Sequence, residues 1–161
     1  MDYLEFAIKM ELDGEKYYLE QAEKNKGTSL ASIFQLLAKD ERKHAEIIRN
    51  KSKELPYELK EDEALKEYKN VFEGVEDFSS KLKTAPGQID AYRLALEKEK
   101  ESIDLYEKMG GEASDEDGKK LFAFLVEQEK AHYKIFDELI EYLLQAEEWV
   151  EDAEFGTRET Y

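Results

Sequence analysis

Two short motifs with the spacing of metal ligands stand out in the chain. It contains two histidines, and each follows a glutamate by three residues, as Glu41 with His44 and Glu129 with His132. Residues three apart on a helix share a face, so each pair can converge on one point. Carboxylate and imidazole donors together suit iron or manganese, with zinc as a common substitute. The motifs therefore predict metal binding; a core histidine hydrogen-bonded to a glutamate is the alternative.

An internal repeat connects the two motifs. At an offset of 88 residues each Glu-x-x-His motif falls on the other, and Glu11 falls on Glu99, as Tyr18 does on Tyr106. Apolar residues accompany these positions at intervals of three and four, which is the helical period. We interpret each half of the chain as one copy of a helical hairpin, with its polar motif residues on the inner, apolar face.

The charge of this inner set predicts how many ions it holds. Each charge buried in a dry interior costs several kcal/mol, so four carboxylates need compensating cations. Two divalent metals supply four positive charges, and helix bundles with this donor set hold such metal pairs. The predicted metal residues are Glu11, Glu41, His44, Glu99, Glu129 and His132.

Five further residues are candidates for an additional role around the metals. One carboxylate lies four residues beyond Glu11 and either approaches the metals or forms a salt bridge. Two tyrosines either bond to a ligand carboxylate or are core aromatics. Two residues, each four positions before a histidine, either accept an imidazole N–H or lie at the surface. The five are Glu15, Tyr18, Tyr106, Asp40 and Gln128.

Four long helical segments must position these residues. Short loops make helices 1 and 2 antiparallel, and likewise helices 3 and 4, whereas a long connection lets helix 3 run parallel to helix 2. Gly27 is a plausible C-terminal cap, Thr28 or Ser29 can cap the second helix, and Ser114 can cap the fourth. The first helix is expected from Asp2 to Lys26, and the second, which follows it, ends at about Glu54. The third is expected from near Pro86 to Gly110-Gly111, and the fourth ends at about Glu148. An amphipathic stretch from Ala64 to Leu82 lies in the long connection.

The fold class is therefore all-α, a four-helix bundle with a long, partly helical crossover between helices 2 and 3. The hairpins cover residues 1–54 and 84–148, and the crossover covers 55–83. Together they form one domain, 1–148, followed by a C-terminal tail, 149–161.

Composition excludes several classes of function. Lys and Arg number 24 against 40 Asp and Glu, a formal charge of -16. This balance argues against binding nucleic acid or an anionic membrane and is compatible with attracting cations. The chain has no cysteine, which excludes disulfides and thiolate metal sites. The sequence has no apolar stretch long enough to span a membrane and no evident signal peptide, so the cytoplasm is the expected location.

With these residues in place, the chain resembles the ferritin-like superfamily, and within it rubrerythrin and its relatives. The resemblance covers residues 1 to about 148 and implies an up-down-down-up bundle with a carboxylate-bridged diiron centre, commonly in a homodimer. It departs from the family pattern at Ser102, where rubrerythrins usually carry a glutamate, and in lacking the cysteines of a rubredoxin domain. The resemblance implies bridging roles for Glu41 and Glu129, terminal carboxylate roles for Glu11 and Glu99, and terminal nitrogen roles for His44 and His132.

Three functions are compatible with these features. The leading hypothesis is an oxidoreductase that binds two iron ions and reduces peroxide or dioxygen with electrons from a separate partner protein. The second is iron handling, in which Fe(II) is oxidised and passed on. The third is a bundle stabilised by a redox-silent metal such as zinc and used for interaction.

Overall fold

The structure, a computed structural model, describes residues 2–72 and 88–155 of the chain. All regular structure within these ranges is helical, which confirms the all-α prediction. None of the helices within the described ranges combines the length and apolar character needed to cross a bilayer. The helices are α1 Tyr3–Lys24, α2 Ser29–Ser52, α3 Ala64–Phe72, α4 Gln88–Glu112 and α5 Glu116–Phe155.

Local capping explains where the hairpin helices begin and end. Thr28 is the N-cap of α2, and its side chain accepts the Leu30 N–H, satisfying a donor that has no partner within the helix. The C-cap of α1 is Asn25, so the prediction of Gly27 as the cap is wrong. Gly27 instead adopts a φ of +86° in the turn between α1 and α2, a conformation that favours glycine. The prediction that Ser114 caps the fourth long helix, α5, is wrong. The Asp115 carboxylate accepts the Gly118 N–H at the start of this helix instead.

Two boundaries differ from the sequence prediction. The final helix α5 continues beyond residue 148 as far as Phe155, so part of the expected tail is helical. In the crossover, α3 confirms the first half of the predicted amphipathic stretch. The remainder of that stretch and the expected helix start near Pro86 fall in residues 73–87, which lie outside the described residues, as do residues 156–161.

Contacts between the hairpins give the helix directions. Tyr18 of α1 contacts Glu99 of α4, and Glu11 contacts Tyr106, so α1 and α4 run antiparallel. The same ordering of contacts holds between α2 and α5, which are therefore also antiparallel. With each hairpin itself antiparallel, the four long helices run up, down, down and up.

Two apolar layers enclose the middle of the bundle. One layer is centred on Phe136, which is fully buried and packs against Tyr18, Phe34 and Tyr92 with ring centroids 5.7–6.2 Å apart. The other layer is built around Tyr106, whose ring stacks on that of Phe122. The polar motif residues lie between these layers, where side chains from all four long helices meet.

We expect Phe136→Ala to lower the free energy of unfolding by about 3–5 kcal/mol, because it leaves a cavity among three aromatic rings. Leu144→Ala on the exposed face of the same helix is the control. Its expected cost is below about 0.5 kcal/mol. Denaturant unfolding monitored by circular dichroism measures both, and equal losses would contradict the assigned core.

Candidate metal centre

All six residues predicted to bind metal meet at the centre of the bundle. None of the six is more than 4% exposed. They form two groups of four whose ligand atoms lie within 4.8 Å of one another. Both groups contain Glu41 and Glu129, so two adjacent sites would share two carboxylates. The first group is Glu11, Glu41, His44 and Glu129, and the second is Glu41, Glu99, Glu129 and His132.

Each imidazole turns its Nδ1 atom toward this cluster. His44 Nδ1 lies 3.1 Å from Glu129 Oε1 and 3.4 Å from Glu11 Oε2. His132 Nδ1 lies 3.0 Å from Glu41 Oε1 and 3.5 Å from Glu99 Oε1. The glutamate of each Glu-x-x-His motif therefore faces the histidine of the opposite hairpin, and neither hairpin assembles the cluster alone.

Burial and mutual repulsion distribute protons within the cluster. Burial, together with the negative charges of neighbouring glutamates, raises the pKa of Glu41 and of Glu129 well above the usual value. Burial alone would lower the pKa of His44, but nearby carboxylates outweigh it and raise that pKa well above 6.5. The pKa of Glu11 falls to about 2 despite its burial, because His44 stabilises its negative charge. Protons and cations would therefore compete for the same groups of the cluster.

The donor set of the cluster fits a cation. Oε2 atoms of Glu11, Glu99 and Glu129 are buried without a hydrogen-bond partner among the residues that the structure describes. A buried acceptor without a partner is costly, and a metal ion satisfies such oxygens directly. Carboxylate oxygens with two imidazole nitrogens are donors that iron, manganese and zinc accept.

The two candidate tyrosines are both core residues and hydrogen-bond donors. Tyr18 and Tyr106 are buried, and each donates its hydroxyl to a glutamate of the opposite hairpin, Glu99 and Glu11 respectively. Burial and the neighbouring carboxylates raise the pKa of both phenols, so the hydroxyls keep the protons they donate. They orient the two carboxylates that belong to only one group each.

Asp40 bonds to a histidine, but to that of the opposite hairpin. Its Oδ2 lies 3.1 Å from His132 Nε2. Its carboxylate also accepts the backbone N–H groups of Glu63 and Ala64 at the start of α3. Because the Asp40 carboxylate is the acceptor of this hydrogen bond, His132 Nε2 is the donor. His132 Nδ1 is then left directed at the cluster.

Asp62, in the connection between α2 and α3, is the residue that sequence reasoning missed. Its Oδ2 lies 2.7 Å from His44 Nε2 and 3.1 Å from His132 Nε2, so one carboxylate contacts both imidazoles. Lys43 pairs with its other oxygen at 2.7 Å. Asp62 lies in an acidic, non-helical stretch, where no periodicity distinguishes an inward carboxylate from a solvated one.

Within the part of the chain that the structure describes, Gln128 does not hydrogen-bond to a histidine, and Glu15 does not join the cluster. Gln128 accepts the Asp62 N–H at 2.7 Å and donates to Glu61, so it positions the crossover rather than an imidazole. Glu15 pairs with Arg42 at 3.3 Å near the surface, which corresponds to its salt-bridge alternative. Neither belongs to the two groups of four.

Comparison with known proteins agrees with this geometry. The family model described as rubrerythrin matches residues 2–140. The chain belongs to the rubrerythrin family. Searches of curated proteins and of solved structures return no match. Members of the rubrerythrin family typically bind iron, and the buried carboxylate and histidine cluster provides donors that can hold a metal.

Metal binding to this rubrerythrin-family cluster should release protons. The pKa values of His44, His132, Glu41 and Glu129 are all raised, so these groups hold their protons more tightly than in water. Cations compete with these protons, so apparent metal affinity should rise with pH. Zn(II) titration in weak buffer with a pH indicator measures the release, and affinity that is independent of pH between 5.5 and 8 would contradict it.

We expect Asp62→Asn to weaken binding of both ions, by roughly 10- to 100-fold. The substitution keeps the shape but removes the charge that holds both Nε2–H groups. Asp40→Asn should act mainly on the ion beside His132, and Asp104→Asn on the exposed face of α4 is the neutral control. Competition titration with a chelating dye measures each affinity; an Asp62→Asn protein with wild-type affinities would show that the contact does not orient the ligands.

Proposed function

We propose that this chain is a diiron protein that reduces hydrogen peroxide or dioxygen with electrons from another protein. The observation that carries the proposal is the sharing of Glu41 and Glu129 by two groups of four donor residues. Two divalent ions there would balance four carboxylates, with one imidazole nitrogen for each ion. In this proposal Glu41 and Glu129 would help to hold both ions, while Glu11 with His44 would hold one ion and Glu99 with His132 the other.

The proposed reaction consumes one hydrogen peroxide, two electrons and two protons and yields two waters. Two bound iron ions would supply one electron each. The protein's own residues would hold the metal ligands in place while the iron ions are oxidised. Tyr18 and Tyr106 restrain the terminal carboxylates, and Asp40 and Asp62 restrain the imidazoles. The two apolar layers limit water in the interior of the bundle.

The electrons require a separate source. The 161 residues contain no cysteine, so this stretch cannot ligate the cysteine-bound iron that rubrerythrins usually carry in a rubredoxin domain. We therefore include a redox partner protein in the proposal. The membership of the rubrerythrin family adds a homodimer as the proposed assembly.

The net charge favours oxidation of Fe(II) in iron handling as the second candidate. A formal charge of -16 raises the local concentration of cations around the protein. In that case the same centre would oxidise Fe(II) and then release it. The two candidates differ in whether iron stays bound after oxidation.

The test is anaerobic loading with Fe(II) followed by addition of hydrogen peroxide. The wild type should bind two iron ions per chain and consume one peroxide for every two Fe(II) oxidised. The double variant Glu41→Gln with Glu129→Gln should lose most of this binding, because it removes both shared carboxylates. A matched control changes the exposed Glu46 and Glu127 to Gln.

Elemental analysis after gel filtration, together with the visible spectrum, measures iron content and oxidation state. Retained iron that a chemical reductant returns to Fe(II) for further turnovers supports peroxide reduction, whereas released Fe(III) supports iron handling. If the double variant binds iron and reacts like the wild type, the proposed centre is wrong.

A further inference from the structure

A small cavity adjoins the metal centre at the seam between α1 and α4. Its volume is about 50 Å³, and it is not closed off from solvent. A cavity needs about 10–15 Å³ of water-accessible volume to hold one water, so this space holds a few waters or one small molecule such as a two-atom ligand. The lining residues are Met10, Gly14, Tyr18, Glu41, Lys98, Glu99 and Ser102.

Two small residues leave this space open. Gly14 and Ser102 occupy equivalent positions in the two halves of the chain, 88 residues apart, and both follow a cluster glutamate by three residues. A Cβ atom at position 14 would lie 3.3 Å from Glu41 Oε2, so even an alanine would crowd that carboxylate. The Ser102 hydroxyl donates to the Lys98 carbonyl oxygen at 3.0 Å. Larger side chains at either position would fill the cavity.

The inner wall of the cavity consists of cluster carboxylates. Glu99 belongs only to the group that contains His132, whereas Glu41 belongs to both groups. Glu99 is 2% exposed, and its Oε2 atom has no hydrogen-bond partner among the described residues, whereas Tyr18 bonds to Oε1. A molecule in the cavity would thus reach the His132 side of the centre, and one that donates a hydrogen bond would complement this wall.

We propose that this cavity admits small, uncharged oxygen compounds, hydrogen peroxide above all, to the His132 side of the centre. The inference rests on the proposed function and names the size and charge of its oxidant. Hydrogen peroxide has two heavy atoms, is uncharged at neutral pH and donates hydrogen bonds. The inner wall has two carboxylates against one cationic lining residue, Lys98, and together with the net charge of -16 this disfavours anions. An alkyl hydroperoxide could place only its hydroperoxide end in the cavity and would leave its alkyl group in the opening.

The test uses nitric oxide, an uncharged two-atom probe, on the Fe(II)-loaded protein. Ser102→Val replaces the hydroxyl with one methyl group and adds a second one to the cavity wall, whereas Ser102→Ala removes the same hydroxyl without filling space. We expect the valine variant to bind two iron ions and to take up nitric oxide at least about tenfold more slowly, because close-packed interiors leave no alternative path. The alanine variant should match the wild type in stopped-flow absorption.

A second variant narrows the cavity from α1. Gly14→Ala should slow nitric oxide binding as well, and Gly111→Ala, with no atom within 4 Å of its added Cβ, is the control. Iron-loaded Ser102→Val and Gly14→Ala proteins that both bind nitric oxide at the wild-type rate would overturn the inference alone. A wild type that does not bind iron would overturn the proposed function as well.

Two readouts test size and occupancy. tert-Butyl hydroperoxide should oxidise the wild-type Fe(II) centre at least about tenfold more slowly than hydrogen peroxide, because the close-packed walls of the cavity leave no room for its alkyl group. Equal rates would overturn the inference. A crystal structure of the zinc-loaded protein should show ordered water in the cavity of the wild type and of Ser102→Ala. Water that persists unchanged in Ser102→Val would count against it.

Discussion

The burial of four carboxylates and two imidazoles in the middle of a helical bundle is the constraint on which the structure depends. Each buried ion is costly in a low-dielectric interior unless opposite charges and hydrogen bonds compensate it. The cluster meets this demand through contacts between imidazole nitrogens and carboxylate oxygens and through the hydroxyls of Tyr18 and Tyr106. Aromatic and aliphatic layers on both sides then supply the apolar burial that stabilises a bundle with a polar centre.

The polar contacts also explain why the two hairpins need each other. Tyr18 of one hairpin restrains Glu99 of the other, and His132 faces Glu41 across the bundle. A single hairpin would expose its motif residues to water and leave Glu11 or Glu99 without its tyrosine. Because every part of the cluster is divided between the halves, docking of the hairpins and formation of the candidate site are the same event.

The crossover breaks the symmetry between these halves. Asp40 bonds to His132, but the equivalent position in the second half is Gln128, which cannot replace a carboxylate in charge. Asp62 supplies the missing carboxylate from outside the repeat, and Gln128 fixes its backbone. The loop that joins the hairpins thus also contributes to the orientation of both histidines.

The sequence by itself determined the helical class, the duplicated hairpin and the six cluster residues, because helical spacing and the 88-residue repeat are local, periodic signals. The structure agrees that these residues share one interior, and it shows which glutamate faces which histidine. Only the tertiary structure decided the roles of Asp62, Gln128 and Glu15. Their partners lie on other elements, at distances along the chain that no periodicity encodes. An acidic residue in a loop has the same local pattern whether it faces water or an imidazole, and packing alone distinguishes the two.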